Sequence, residues 1–140
     1  VRLALIILCL FGILVCCAAE AKAYPQLSKK QEKIAKRGLP HAVQKYAHVV
    51  NRYWSKYLWK DGHRRLSVRA LRNALCVIWW ESNGRRYCKT GVHCGIFQIR
   101  RDHFRGRNPW RIVSQAATSG MLYARLGWRP WAQTAYRGVP

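Results

Sequence analysis

Acidic side chains are scarce in this chain. Its 140 residues hold five Asp and Glu against 26 Lys and Arg, a formal net charge of +21. So few carboxylates leave little choice of proton donor, and so much positive charge attracts polyanions. Nucleic acid, anionic lipid and acidic cell-wall polymers all qualify, and charge does not choose among them. Long apolar runs are missing too. The longest, residues 3–19, falls short of the roughly 20 residues that span a bilayer as a helix. There is no internal repeat and no low-complexity segment, so the length fits one domain around one core. No spacing of cysteine and histidine matches a standard zinc pattern.

Apolar and aromatic residues are plentiful. Half the chain is hydrophobic, with seven Trp and seven Tyr, enough for a packed core. Near the start, Arg2 precedes the apolar run, and Ala21-Lys22-Ala23 supplies an A-x-A pattern. Residues 1–23 therefore read as a secretory signal peptide cleaved after Ala23; the alternative is a retained membrane anchor. The remainder keeps 24 basic and four acidic residues, a net charge of +20. Export directs that charge toward an envelope polymer rather than a specific nucleic acid. Cys76, Cys88 and Cys94 remain after residue 23. An exported chain favours a disulfide, and "CKTGVHC" brackets a short loop, so Cys88–Cys94 is the expected pair. Cys76, inside an apolar run, reads as a buried free thiol. A zinc site built from Cys88, His93 and Cys94 is the sharper alternative.

Residues 24–39 are polar and basic and read as a tether or frayed helix. From Pro40, the apolar positions Ala42, Val43, Tyr46, Ala47, Val50, Tyr53, Trp54, Tyr57 and Leu58 recur at helical spacing, which predicts an amphipathic helix over residues 40–60. Ser67 is a candidate N-cap for a second helix with Val68, Leu71, Leu75, Ile78 and Trp79 inward, closing near Ser82-Asn83-Gly84. Asn108-Pro109 reads as the cap and first residue of a third helix ending at Gly127. Gly95 to Ile99 reads as a short strand or a helix start. The fold class is mainly α, in one small domain over residues 40–140.

One glutamate stands apart. Glu81 ends the second helix, in "WWESNGRRYCKTGVHCGIFQI". The helix dipole disfavours negative charge there, and Trp79 and Trp80 predict a poorly hydrated wall. Both effects favour the neutral carboxylic acid, the form that can protonate a departing glycosidic oxygen. The competing reading is a helix-end carboxylate paired with one of the many arginines. Asp102, among Arg100, Arg101 and Arg105, reads as a solvated ion pair.

Glu81-Ser82-Asn83, followed by "GIFQI" at Gly95 to Ile99, resembles the signature of the lysozyme-like superfamily, and is similar to both c-type lysozymes and soluble lytic transglycosylases. The tail "GMLYARLGWRPWAQT" resembles the end of transglycosylase-like domains of bacteria and phages. The likeness spans roughly residues 68–136. It implies an α+β lysozyme-like fold, with a short loop or β segment beside a cleft. It implies Glu81 as the general acid/base, Ser82 fixing the local backbone or touching substrate, Gly95 admitting the sugar chain close to the backbone, and Gln98 hydrogen-bonding in the cleft. Tyr123, Trp131 and Tyr136 are further substrate-binding candidates. Trp110, Trp128 and Trp131 invite sugar stacking, although core packing is the default for any one tryptophan.

Two departures refine the resemblance. A family motif of alanine, tyrosine and asparagine is matched at Ala135-Tyr136 but carries Arg137 in third place. Where c-type lysozymes have an aspartate two residues before the glycine, this chain has His93. The pair of carboxylates used by retaining hydrolases is therefore missing there. A single acid/base is what a lytic transglycosylase needs. The expected partners are peptidoglycan glycan strands and anionic cell-envelope polymers, with no cofactor, no metal and a monomeric chain; an inverting hydrolase and a non-catalytic cationic envelope-binding protein are the alternatives.

Overall fold

The computed structural model of the protein describes residues 24–140; the expected signal segment lies outside the described residues. The architecture is mainly α. Among the described residues five helices occur in the order α1 (Lys29–Ala35), α2 (His41–Gln44), α3 (Ala47–Gly62), α4 (Val68–Ser82) and α5 (Ile112–Leu126). Between α4 and α5 lies a three-stranded antiparallel sheet of β1 (Lys89–Thr90), β2 (His93–Cys94) and β3 (Ile99–Arg100), followed by a 3-10 turn at Arg101–Phe104. A second 3-10 turn, Arg129–Trp131, follows α5. Among the described residues no helix is long and apolar enough to cross a membrane.

Residues 24–39 are not a tether. Ser28 and Gln31 form a capping box at the start of α1, each side chain reaching the other's backbone N–H. Asn51 of α3 grips the chain just before it: its Oδ1 accepts from the Leu27 N–H at 3.0 Å and its Nδ2 donates to the Leu27 carbonyl at 2.9 Å. Ala35 and Leu39 are buried. A short basic segment has few apolar residues to offer, and these local bonds supply the rest of the anchoring.

The helix expected over residues 40–60 breaks in two. Lys45 and Tyr46 form a turn between α2 and α3. Tyr46 is buried, and its hydroxyl donates to the Gly84 carbonyl at 2.8 Å, just past the end of α4. The break lets α2 pack on α4 while α3 runs along α5. Helix α4 matches its expected limits. Ser67 Oγ accepts from the Ala70 N–H at 3.0 Å, and Asn83 closes the helix at φ 53°. Helix α5 starts later than Asn108-Pro109 predicts. Asn108 Oδ1 accepts from the Trp110 N–H at 2.9 Å, so it caps a turn before the helix rather than the helix itself. Gly127 is the stop, as expected.

The core is organised around Trp54 on α3, which is fully buried. Its indole N–H donates to Ser119 Oγ on α5 at 2.9 Å. Its ring stacks on Tyr123 of α5 at 4.4 Å, on Phe97 of the sheet region at 5.7 Å and on Trp131 of the tail at 6.2 Å, measured between ring centroids. Such aromatic pairs add attraction beyond the area they bury. The face of α5 turned toward α3 is built of small residues, Ala116, Ala117, Ser119 and Gly120 among them. A Cβ at Gly120 would stand 3.0 Å from Trp54 Cδ1, so the two helices meet where a larger residue does not fit.

Thr118 is fully buried on α5 and its hydroxyl has no hydrogen-bond partner. A buried, unpaired hydroxyl costs free energy that an isosteric methyl does not. Thr118→Val is therefore expected to stabilise the fold by about 1 kcal/mol in urea unfolding. A loss of stability would mean that the hydroxyl is bonded.

Candidate active site

Glu81 lies in the last turn of α4, where the helix meets the sheet on one side and the C-terminal tail on the other. A cleft of ≈ 470 Å³ opens beside it, lined by Thr90, His93 and Gln98 from the sheet region and by Arg129, Pro130, Trp131, Ala132 and Gln133 from the tail. The carboxyl is half-buried. Thr134 donates its hydroxyl to Glu81 Oε1 at 2.6 Å, while Oε2 has no protein partner among the described residues. One oxygen is thus oriented and the other is free to meet a ligand.

The charge environment is unusual for a chain so rich in arginine. Four acids lie among the described residues. Glu32 accepts from Asn51 at 2.6 Å and meets His48 at 3.2 Å; Asp61 pairs with Arg64 at 2.8 Å; Asp102 pairs with Arg100 at 3.1 Å on the surface, as its neighbours predicted. Only Glu81 has no basic partner. The simple reading of Glu81 as one half of a helix-end ion pair does not describe it. Among the described residues no second carboxylate lines its cleft.

The expected wall is made differently. Successive helix residues point about 100° apart, so Trp79 turns toward the core and Trp80 toward the surface, and neither lines the cleft. Trp80 meets the tail instead and stays partly exposed: the Arg137 guanidinium sits 5.5 Å above its ring, and its N–H donates to the Gly138 carbonyl at 3.2 Å. The aromatic wall of the cleft is Trp131, from 50 residues further on. Its N–H donates to the Phe97 carbonyl at 2.9 Å and locks the tail to the sheet region.

The other expected residues divide. Ser82 is buried, with Oγ 3.0 Å from the Ile78 carbonyl and 2.9 Å from the Ile96 carbonyl, so it ties α4 to the "GIFQI" segment rather than reaching into the cleft. Gln98 lines the cleft, but its amide donors are turned inward, to the carbonyls of Cys88 at 3.0 Å and Gly95 at 2.9 Å. Its backbone adopts φ 46°, a strained conformation for glutamine. Tyr123 packs on Trp54 and Trp128 in the core, and burial pushes its phenol pKa upward. Tyr136 is 75% exposed and outside the cleft. Trp128 packs on Trp54 and Tyr123; Trp110 lies beside Tyr87.

Gly95 is needed for a different reason from the one expected. A Cβ there would stand 2.5 Å from Cδ of Gln115, not in the path of a ligand. Gln115 is a fully buried residue of α5. Its Oε1 accepts from the Ile96 N–H at 2.9 Å, and its Nε2 donates to the carbonyls of Arg86 at 3.2 Å and Pro109 at 2.7 Å. This amide stitches the whole loop between α4 and α5 onto α5. Sequence reading missed Gln115, Thr134 and Arg129; a buried glutamine within a run of small residues was the only local signal.

The expected Cys88–Cys94 disulfide is absent, and the three cysteines among the described residues, Cys76, Cys88 and Cys94, are free thiols. The hairpin register explains it. Cys94 pairs with Lys89, and Cys88 falls one step beyond, opposite Gly95. Side chains alternate faces along a strand, so the two sulfurs point to opposite sides of the ribbon. The Cys94 thiol faces its own core-side acceptor, the Ile99 carbonyl, at 3.7 Å. The alternative zinc set fails likewise: among the described residues no three His, Cys, Asp or Glu side chains converge to hold a metal.

No family model matches the chain, and no curated protein or solved structure proves similar to it.

Two measurements check this geometry. Gly95→Ala is expected to lower stability by roughly 3 kcal/mol in denaturant unfolding, since backbone strain and overpacking add. A cost near 1 kcal/mol would leave only the strain and discard the close approach to Gln115. Alkylation of the native protein should label Cys88 first. Burial raises the pKa of the thiols of Cys76 and Cys94, which should react only after unfolding. Reductant should not change the intact mass; a gain of two mass units on reduction would reinstate the disulfide.

Proposed function

We propose that the chain is an exported enzyme that cleaves peptidoglycan glycan strands as a lytic transglycosylase of lysozyme-like type, with Glu81 as its single general acid/base. The observation that carries this reading is the state of Glu81. In a molecule with a large excess of positive charge, it is the one described acid left without a basic partner, and it borders a cleft. A structural carboxylate in such surroundings is expected to be ion-paired; an acid/base needs a free oxygen. Thr134 holds Oε1, and Oε2 remains to face the glycosidic oxygen.

The chemistry then balances with one residue. Protonated Glu81 gives its proton to the bridging oxygen as the bond from the anomeric carbon to that oxygen breaks. The departing sugar leaves as an alcohol and the anomeric carbon carries positive charge. Glu81, now a carboxylate, removes the proton of the same sugar's 6-hydroxyl. That oxygen closes on the anomeric carbon to form an anhydro ring, and Glu81 ends protonated as it began. The neighbouring N-acetyl group can share the positive charge. The lack of a second carboxylate in the cleft among the described residues supports this route over a retaining hydrolase.

The excess of lysine and arginine supports retention on anionic envelope polymers. A separate groove of ≈ 900 Å³, past the end of α4, is edged by Lys45, Arg85, Arg86 and Lys89 and offers a surface for them.

Glu81→Gln preserves shape and removes the transferable proton. Release of soluble muropeptides from purified peptidoglycan is expected to fall by at least about 100-fold. Equal release by wild type and Glu81→Gln would remove the catalytic reading. Mass spectrometry of the wild-type products is expected to show anhydro ends; reducing ends would assign an inverting hydrolase instead.

A further inference from the structure

Helix α1 takes no part in the cleft, yet it carries the densest lysine cluster of the chain: Lys29, Lys30, Lys33 and Lys36, with Arg37 in the turn that follows. The one acid of this segment does not offset them. Glu32 is turned inward, where it accepts from Asn51 at 2.6 Å and meets His48 at 3.2 Å. Its side chain is only 12% exposed. The outward face is ordered by helical spacing. Lys30, Lys33, Ile34 and Arg37 fall at i, i+3, i+4 and i+7, which places them on one stripe. All four are exposed. The three cations make no ion pair among the described residues. Ile34 stands among them 44% exposed, a large aliphatic side chain with charge on both sides. The stripe is also fixed in place. Besides the Ser28–Gln31 box and the grip of Asn51 on Leu27, Arg72 of α4 donates to the carbonyls of Ala35 at 3.1 Å and Arg37 at 2.7 Å.

We propose that this face of α1 docks on an anionic phospholipid surface, with Lys30, Lys33 and Arg37 meeting the headgroups and Ile34 entering the boundary below them. An interfacial helix binds through both terms, electrostatic attraction and buried apolar area, and the stripe supplies both. Long cationic side chains reach headgroups while their stems lie along apolar surface. A polymer of sugars, polyols and phosphates would satisfy the cations and leave Ile34 in water. The basic groove past α4 has the opposite character. Arg85 and Arg86 engage the Ser82 and Trp110 carbonyls through their Nε, and no exposed aliphatic residue lines that groove. Because α1 is already folded and tied to α3 and α4, docking orders no new segment. The inference stands apart from the reading of Glu81 and adds a lipid surface to the polymer of that reading.

Co-sedimentation with vesicles tests it. Residues 24–140 hold the described core and both caps of α1, so they fold without the apolar run of residues 3–19, which would enter vesicles by itself. Wild type is expected to bind vesicles of equal parts phosphatidylglycerol and phosphatidylcholine and to leave pure phosphatidylcholine vesicles in the pellet alone. Combined Lys30→Gln, Lys33→Gln and Arg37→Gln is expected to weaken binding to the anionic vesicles on the order of 100-fold at low salt, about fivefold per charge. The charge-matched control, Arg101→Gln with Arg105→Gln and Arg111→Gln, alters three exposed cations elsewhere and is expected to weaken it no more than about threefold. Ile34→Ser is expected to weaken it roughly fivefold without a change in charge. Equal losses from the two triple variants would reduce the effect to net charge and overturn the proposal. So would an Ile34→Ser protein that binds as tightly as wild type. A loss by the α1 triple variant on polyglycerol phosphate, with vesicle binding intact, would assign the face to a wall polymer instead and overturn it too. Release of muropeptides from lipid-free peptidoglycan is read separately, and none of the α1 variants is expected to change it.

Discussion

The structure depends on one buried amide. Gln115 has a single side chain's worth of donors and acceptor and uses all of it on backbone: Ile96, Arg86 and Pro109. Those three residues lie at the start, middle and end of the loop between α4 and α5. The loop has only two-residue strands and little apolar surface of its own to hold it in place. Without the amide, three buried or half-buried backbone groups would lose their partners together, at roughly 1–3 kcal/mol each. With it, the loop is an extension of α5, and the close approach of Gly95 follows as a packing requirement. Ser82 does the same task from the other side, joining the end of α4 to Ile96. The segment "GIFQI" is therefore gripped by both helices, and the carboxyl of Glu81, one residue before Ser82, takes its position from that grip.

Much of the fold was legible because its signals are local. Ser67, Asn83 and Gly127 are end markers that act within one helical turn, and α4 and the end of α5 lie where they predict. The failures share a cause. The break at Lys45 and Tyr46 is set by a hydroxyl reaching Gly84, 38 residues away. The docking of residues 24–39 depends on Asn51, whose role is invisible without the fold. The Cys88–Cys94 pairing looked favourable by separation alone; strand register, which inverts the facing of adjacent residues, decides it. Asn108 is a capping residue, but of the wrong element.

The candidate site shows the same division. Glu81 was readable from its type and its place at a helix end, Gln98 from the family resemblance alone, and both border the cleft. Trp131 was readable as one of several tryptophans. Of the two roles expected for Ser82 the structure shows the backbone-fixing one, and Gly95 matters for a reason other than the expected one: both belong to the support of the site and neither meets the open space. Thr134 and Arg129 carried no signal. Threonine and arginine are unremarkable in a polar tail, and what makes them matter is where the tail comes to rest. Trp79 and Trp80 misled because adjacency in a helix separates side chains rather than joining them.

That resting place has a consequence for synthesis. The cleft is a joint between a helix end near the middle of the chain and the tail after α5, and Thr134 meets Glu81 across 53 residues of sequence. Every tail residue that borders the cleft lies between Arg129 and Gln133. A nascent chain that has released α4 and even all of α5 from the ribosome still has an open flank where the cleft will be. The site is completed by a segment that emerges after α5, so a chain stopped at Trp128 keeps the glutamate and its downstream motif yet has no enclosure for a ligand.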